Sequence, residues 1–336
     1  MDLPKKKRRL SIWIIFSVVT AVFGILVILF GQRVLDLIAG SSFEPTPEMA
    51  ELIKNLELTA DADVILRAVH PSLLGADDFN QHCPNNDEEM STLGCFSPAE
   101  SRIYIFNITS EELDGIKESV LSHELLHSIY QRLNGLERSS LNSDLQEFYD
   151  AHHDLFGDYL SKYSETMFYT ELHSIVGQRL SSTELPESLR NHYAKYFKNQ
   201  DKIAGYYKKY RTIFDELTEN INRISAEVQE WRESVENKRK AYKEHLAYYE
   251  EIRELHNQRS TNHYYQSGQE SYAAYLVVLE TYNKVNEERE ALNADIDALN
   301  DRINELNEYV ERSNKLNNIV NSHVDTTTEK TSDATD

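Results

Sequence analysis

Two histidines stand four residues apart in His123-Glu124-Leu125-Leu126-His127. On a helix that spacing projects both imidazoles from one face, one turn apart, where they can share a tetrahedral Zn²⁺. Glu124, beside the first histidine, is placed to act on water at the metal without binding the ion itself. A catalytic zinc needs a third protein ligand and leaves its fourth position to water. Three downstream residues are candidates: Glu171, His173 and Glu147. Glu171 shares its helical stripe with Phe168 and Ile175, and a carboxylate among apolar neighbours needs a partner such as a metal ion. His173 points to nearly the opposite side, which it shares with Val176 and Leu180. Glu147 lies between Ser143, Asp144, Asp150 and Ala151, while Leu141, Leu145 and Phe148 form the apolar side, so it reads as a solvated surface carboxylate.

The elements that must hold these residues can be read outward from the histidines. Leu113, Ile116, Val120, His123, His127 and Tyr130 recur every three or four positions, which predicts a helix with both histidines on its buried stripe. Thr109-Ser110-Glu111-Glu112 has the form of a capping box that starts this helix, and Gly135 is suited to stop it. Upstream, Val64–Val69 and Ile103–Ile108 read as strands. Helices are expected from there to about residue 200, with a restart at Ser182–Pro186. His152 and His153, next to Asp150 and Asp154, read as surface residues.

Composition limits the partners. The 336 residues suggest about two folded units. With 35 basic against 56 acidic side chains the net charge is −21, which excludes nucleic acid as a partner, because phosphate binding needs clustered Lys and Arg. The two cysteines, Cys83 and Cys95, flank a polar loop and suit a single disulfide in an oxidising compartment.

Residues 11–30 carry no charge and follow Lys5, Lys6, Lys7, Arg8 and Arg9, which predicts a transmembrane helix in the lipid bilayer. The N-terminus would then be cytoplasmic and the large domain extracytoplasmic. A linker over 31–46 leads to a domain over 47–205. From Phe214 through Leu217, Ile221, Ile224, Val228, Trp231 and Val235 to Tyr249, and again from Tyr275 to Val310, apolar residues alternate at spacings of three and four. This pattern predicts an antiparallel coiled-coil hairpin over 206–320, a candidate surface for a protein partner or self-association. The Thr-rich stretch 321–336 reads as a disordered tail.

A metzincin would continue the histidine pair with Gly at 130 and His at 133; Tyr130 and Leu133 exclude that class. His123-Glu124-Leu125-Leu126-His127 and, some forty residues on, Tyr169-Thr170-Glu171-Leu172-His173-Ser174 together resemble the gluzincin zinc peptidases. The long gap is similar to that of lethal-factor-like members, whereas thermolysin-like spacing would select Glu147. The resemblance covers about residues 60–200. It implies His123, His127 and Glu171 as zinc ligands and Glu124 as general base. Thermolysin-like members have an Asp four positions after the ligand glutamate; Ile175 stands there, leaving His173 or Ser174 to orient a ligand histidine. The fold expected is therefore α+β and mostly helical: a zincin-like domain with an N-terminal transmembrane helix and a C-terminal coiled-coil hairpin. The activity expected is hydrolysis of a protein or peptide substrate, and the alternative is a non-enzymatic envelope scaffold or adhesin with a structural zinc.

Overall fold

The structure is a computed structural model, and it describes residues 16–20, 24, 31–83, 93–157 and 159–322. It separates into two compact units, one of Met1–Thr212 with Asn317–Asp336 and one of Ile213–Leu316.

In the first unit, residues 31–40 are helical (α1) and are followed by α2 (Pro47–Asn55) and α3 (Ala60–Ala68). Then come β1 (Ser72–Leu74), α4 (Ala76–His82), β2 (Gly94–Ser97) and β3 (Arg102–Phe106). The three strands form one sheet in the order β1-β3-β2, with β1 parallel and β2 antiparallel to β3. Alternation along β3 sends Tyr104 and Phe106 to one face, against Phe79 of α4 and the Cys83–Cys95 disulfide. Ile103 and Ile105, both fully buried, face the other way. The remaining helices of the unit are α5 (Ile116–Arg132), α6 (Gly135–Ala151), α7 (Glu165–Arg179) and α8 (Glu187–Tyr193). Helix α5 is central: it packs on β2, β3, α2 and α3, and most extensively on α7.

Several expectations are corrected. Val64–Val69 is not a strand. Thr59 caps α3 by accepting from the Ala62 N–H, and Ala62, Leu66 and Val69 then fall on one buried helical stripe. Six residues that are apolar but for Arg67 have no period that separates strand from helix, so the cap decides. The sheet is small and its strands have three to five residues, so the α+β expectation gives way to a mainly helical fold. The single-pass membrane reading is also overturned: among the described residues no helix is long and apolar enough to cross a membrane. Of the expected span, residues 11–15, 21–23 and 25–30 lie outside the described residues, as does the tail from 323.

The coiled-coil hairpin is corrected as well. The second unit consists of parts of two long helices, α9 (Gln200–Thr261) and α10 (Gly268–Val320). Arg302 bonds to Glu227, Lys238 to Asp295 at 2.6 Å and His245 to Glu288 at 2.8 Å, a reversed order that makes the pair antiparallel. Ile224, Val228, Val235, Leu292 and Leu299 bury against one another. A coiled coil would bury its seam throughout. Here Trp231, Tyr275 and Tyr282 remain 41%, 46% and 44% exposed, so the predicted seam closes along only part of its length.

Candidate metal centre

Helix α5 does not start where the sequence placed it. Glu111–Leu113 forms a single 3-10 turn, and the Ser110 side chain makes no capping bond. Gly115, at φ 93°, then reverses the chain and α5 begins at Ile116. A left-handed step of this kind favours glycine. The helix ends at Arg132, with Leu133 extended, and the Arg138 guanidinium donates to the carbonyls of Tyr130, Gln131 and Leu133. Gly135 does not stop α5; it opens α6 behind a capping box of Asn134 and Glu137.

Nearly every side chain of α5 is buried, polar ones included. Most of these have partners. Ser122 and Ser128 bond back to the carbonyls of Ser119 and Leu125, Gln178 of α7 donates to Ser119, and Asn55 donates to Glu118. Tight packing brings α7 against this helix: a Cβ at Gly177 would lie 2.4 Å from the Tyr193 ring and 2.8 Å from Leu126 Cδ1.

Against that background, one buried group has its closest polar contacts within itself. His123 Nε2 and His127 Nε2 are 3.1 Å apart, His127 Nε2 lies 3.1 Å from Glu171 Oε1, and His123 Nε2 lies 3.7 Å from Glu171 Oε2. Donors about 2.0–2.1 Å from a tetrahedral zinc would be roughly 3.3 Å apart, so these separations suit a single ion. His123 and Glu171 are each 1% exposed. Yet neither oxygen of Glu171, nor Nδ1 of His123, has a well-formed hydrogen bond. A buried carboxylate without such bonds is costly, and a cation at the centre of the three side chains would compensate it. The residues present therefore fit a metal: His123, His127 and Glu171 are buried together and could hold one ion.

The protonation states agree with this. Burial works to raise the Glu171 pKa, but His127 and His123 more than offset it and hold the carboxyl well below its usual range. Burial pushes His123 below its ordinary value, against the pull of Glu171. The carboxylate is thus ready for a cation, whereas the imidazoles must be neutral to bind one, so a divalent ion would displace the His127 proton that holds Glu171 low.

The three alternatives for a third ligand now occupy distinct places. Glu171 joins the histidines. Glu147 is exposed on α6, where it lines an open cleft of about 960 Å³ with Arg138, Asn142, Gln146, Asp150 and Tyr169. His173 turns away, with its Nε2 2.9 Å from His192 Nε2 and its ring stacked on Tyr193. Burial, and next to it Lys195, pushes His192 down to about 4; burial, with His192 next, holds His173 well below its ordinary value. Ser174 is buried, and its hydroxyl has no bonded partner. Neither expected orienting residue bonds to a histidine of the group. That place is taken by Thr170, whose Oγ1 is 3.0 Å from His127 Nδ1. A proton on Nδ1, donated to Thr170, leaves Nε2 with a lone pair for the ion. Adjacency to Glu171 was the only sequence signal for Thr170.

Glu124 is 2% exposed and lies beneath strand β2, where a Cβ on Gly94 would be 3.1 Å from Glu124 Oε1. His152 and His153 are exposed, bonded to Phe148 O and packed on Tyr149 respectively, and stand apart from the group. No protein-family model, no curated protein and no solved structure matches this chain, so the centre rests on its own geometry.

Proposed function

We propose that the chain is a zinc-dependent, gluzincin-like peptidase that hydrolyses peptide bonds. The observation that carries this reading is the buried His123, His127 and Glu171 group, whose carboxylate oxygens lack well-formed hydrogen bonds while Glu124 follows directly on the same helix. Zinc held there would polarise the substrate carbonyl and make water acidic enough to attack at neutral pH. Glu124 would take the proton of that water on its carboxylate and deliver it to the departing amine. Thr170 would keep His127 in the tautomer the ion requires. His127, whose side chain is 12% exposed, marks the side from which water and peptide would enter.

A second reading has one observation in its favour. The near-complete burial of His123 and Glu171 also suits a structural ion in a non-enzymatic scaffold. Glu124 separates the two, because holding a metal has no need of a base at that position. About one zinc per chain should copurify, and His123→Ala or Glu171→Ala should lose it while Glu147→Ala retains it. Glu124→Gln should retain zinc and fold but lose at least about 10²-fold in turnover of a peptide library. Equal activity in wild type and Glu124→Gln, or none in either, would favour the scaffold.

A further inference from the structure

The antiparallel helix pair changes character along its length. Its proximal part buries Ile224, Val228, Val235, Leu292 and Leu299. From residue 236 to 284, toward the turn between α9 and α10, no residue reaches full burial, although one stretch of α10 there is continuously apolar. Tyr272-Ala273-Ala274-Tyr275-Leu276-Val277-Val278-Leu279 is apolar all round the helix, a pattern that normally belongs inside a protein. Val278 is half-buried on the pair, whereas Tyr272, Leu276 and Val277 are 61%, 44% and 52% exposed. Tyr264, in the turn, is 60% exposed.

Charge indicates what covers this surface. The whole chain carries −21, yet residues 260–279 contain one acidic side chain, Glu270, and no Lys or Arg. Copies of the chain that repel one another elsewhere can approach here at little electrostatic cost. A negatively charged bilayer would require basic residues. The flanking ones, Arg253, Arg259 and Lys284, belong to a chain whose net charge is −21, which such a bilayer would repel. An apolar, uncharged patch is also self-complementary, as a two-fold contact requires.

We infer that the turn end of the α9–α10 pair is a self-association surface on which a second copy of this chain docks through Tyr272, Leu276 and Val277. Taking about 200 Å² for a large side chain, the exposed fractions of Tyr272, Leu276 and Val277 offer on the order of 300 Å² per copy. A stable interface buries about 800 Å² on each side, so the association is weak and reversible, in the micromolar range.

Sedimentation of the full chain between about 1 and about 100 µM, a range that brackets such a constant, provides the test. The mass should rise from 39.0 kDa toward twice that value, and the exposed-site double substitution Leu276→Glu with Val277→Glu should hold it at 39.0 kDa throughout. Circular dichroism of the double variant should match that of wild type. A wild type that stays monomeric across the range overturns the inference, as does association that survives the double substitution. Phosphatidylcholine vesicles form a second arm: a monomer that cosediments with them through Leu276 and Val277 would make the surface a lipid contact instead.

Discussion

Helix α5 and the turn end of α10 depart from ordinary burial in opposite directions. On α5 the polar side chains Glu118, His123 and Glu124 are buried, whereas on α10 the apolar Tyr272, Leu276 and Val277 are exposed. Each inversion carries a cost that a neighbour can remove, and the two neighbours differ in kind. For α5 most of the compensation is internal, from Asn55, Gln178, Thr170 and Glu171, and what remains calls for an ion. For α10 the compensation must come from outside the chain. Departures of this kind are where function is to be sought.

If α5 depends on its surroundings, acid should disturb it first. His192 and His173 form a buried pair on α7 and α8, and the fold favours the neutral form of His192, which titrates at about 4. The unfolded chain takes that proton near the ordinary value of 6.5. Stability from His192 is therefore complete above about 6.5 and is lost as the pH falls toward 4, by up to about 1.4 kcal/mol per unit. Urea midpoints measured across that window should fall steeply in wild type and less steeply in His192→Gln. Identical slopes would show that the pair does not restrain the fold.

Packing should come next in magnitude. Gly177→Ala places a methyl group where the Tyr193 ring and Leu126 already lie, and should cost about 1–3 kcal/mol in chemical unfolding. A neutral or stabilising result would mean that α7 can move away from α5 cheaply. Thr170→Val should leave unfolding almost unchanged while weakening zinc binding about ten-fold, measured by competition with a chelator. Thr170→Ser should restore most of that loss. The smallest effect belongs to the other region: Leu276→Glu with Val277→Glu should move stability by no more than about 0.5 kcal/mol per site, since both side chains are exposed. A large loss there would place the tip inside a core and end the contrast between the two helices.

The chemistry-bearing residues were easier to read than the elements around them. His123 and His127 announce themselves by spacing, and Glu171 by its apolar stripe, because a metal site imposes residue types at fixed intervals. Thr170 was hidden, since its role depends on the packing of α7 across α5 and not on any local pattern. Val64–Val69 misled because a short apolar run suits strand and helix alike, and Thr59 was the deciding residue. Gly135 resembles a stop in isolation, but Asn134 and Glu137 on either side of it form the cap of the following helix. The heptad-like seam of α9 and α10 was visible, but periodicity cannot reveal that Tyr275 and Tyr282 stay exposed.

One contact outside the metal group also bears on it. Arg132, in the last turn of α5, grips Asp36 of α1 through three bonds of 2.9–3.1 Å, and Asp36 is 5% exposed. Arg132 is five residues beyond His127 on one unbroken helix. The stretch before Pro47 is thus tied to α5 as well as joined to α2. Loss of the Asp36 carboxylate would leave Arg132 unpaired within two helical turns of His127, so the first described helix and the metal group share a boundary.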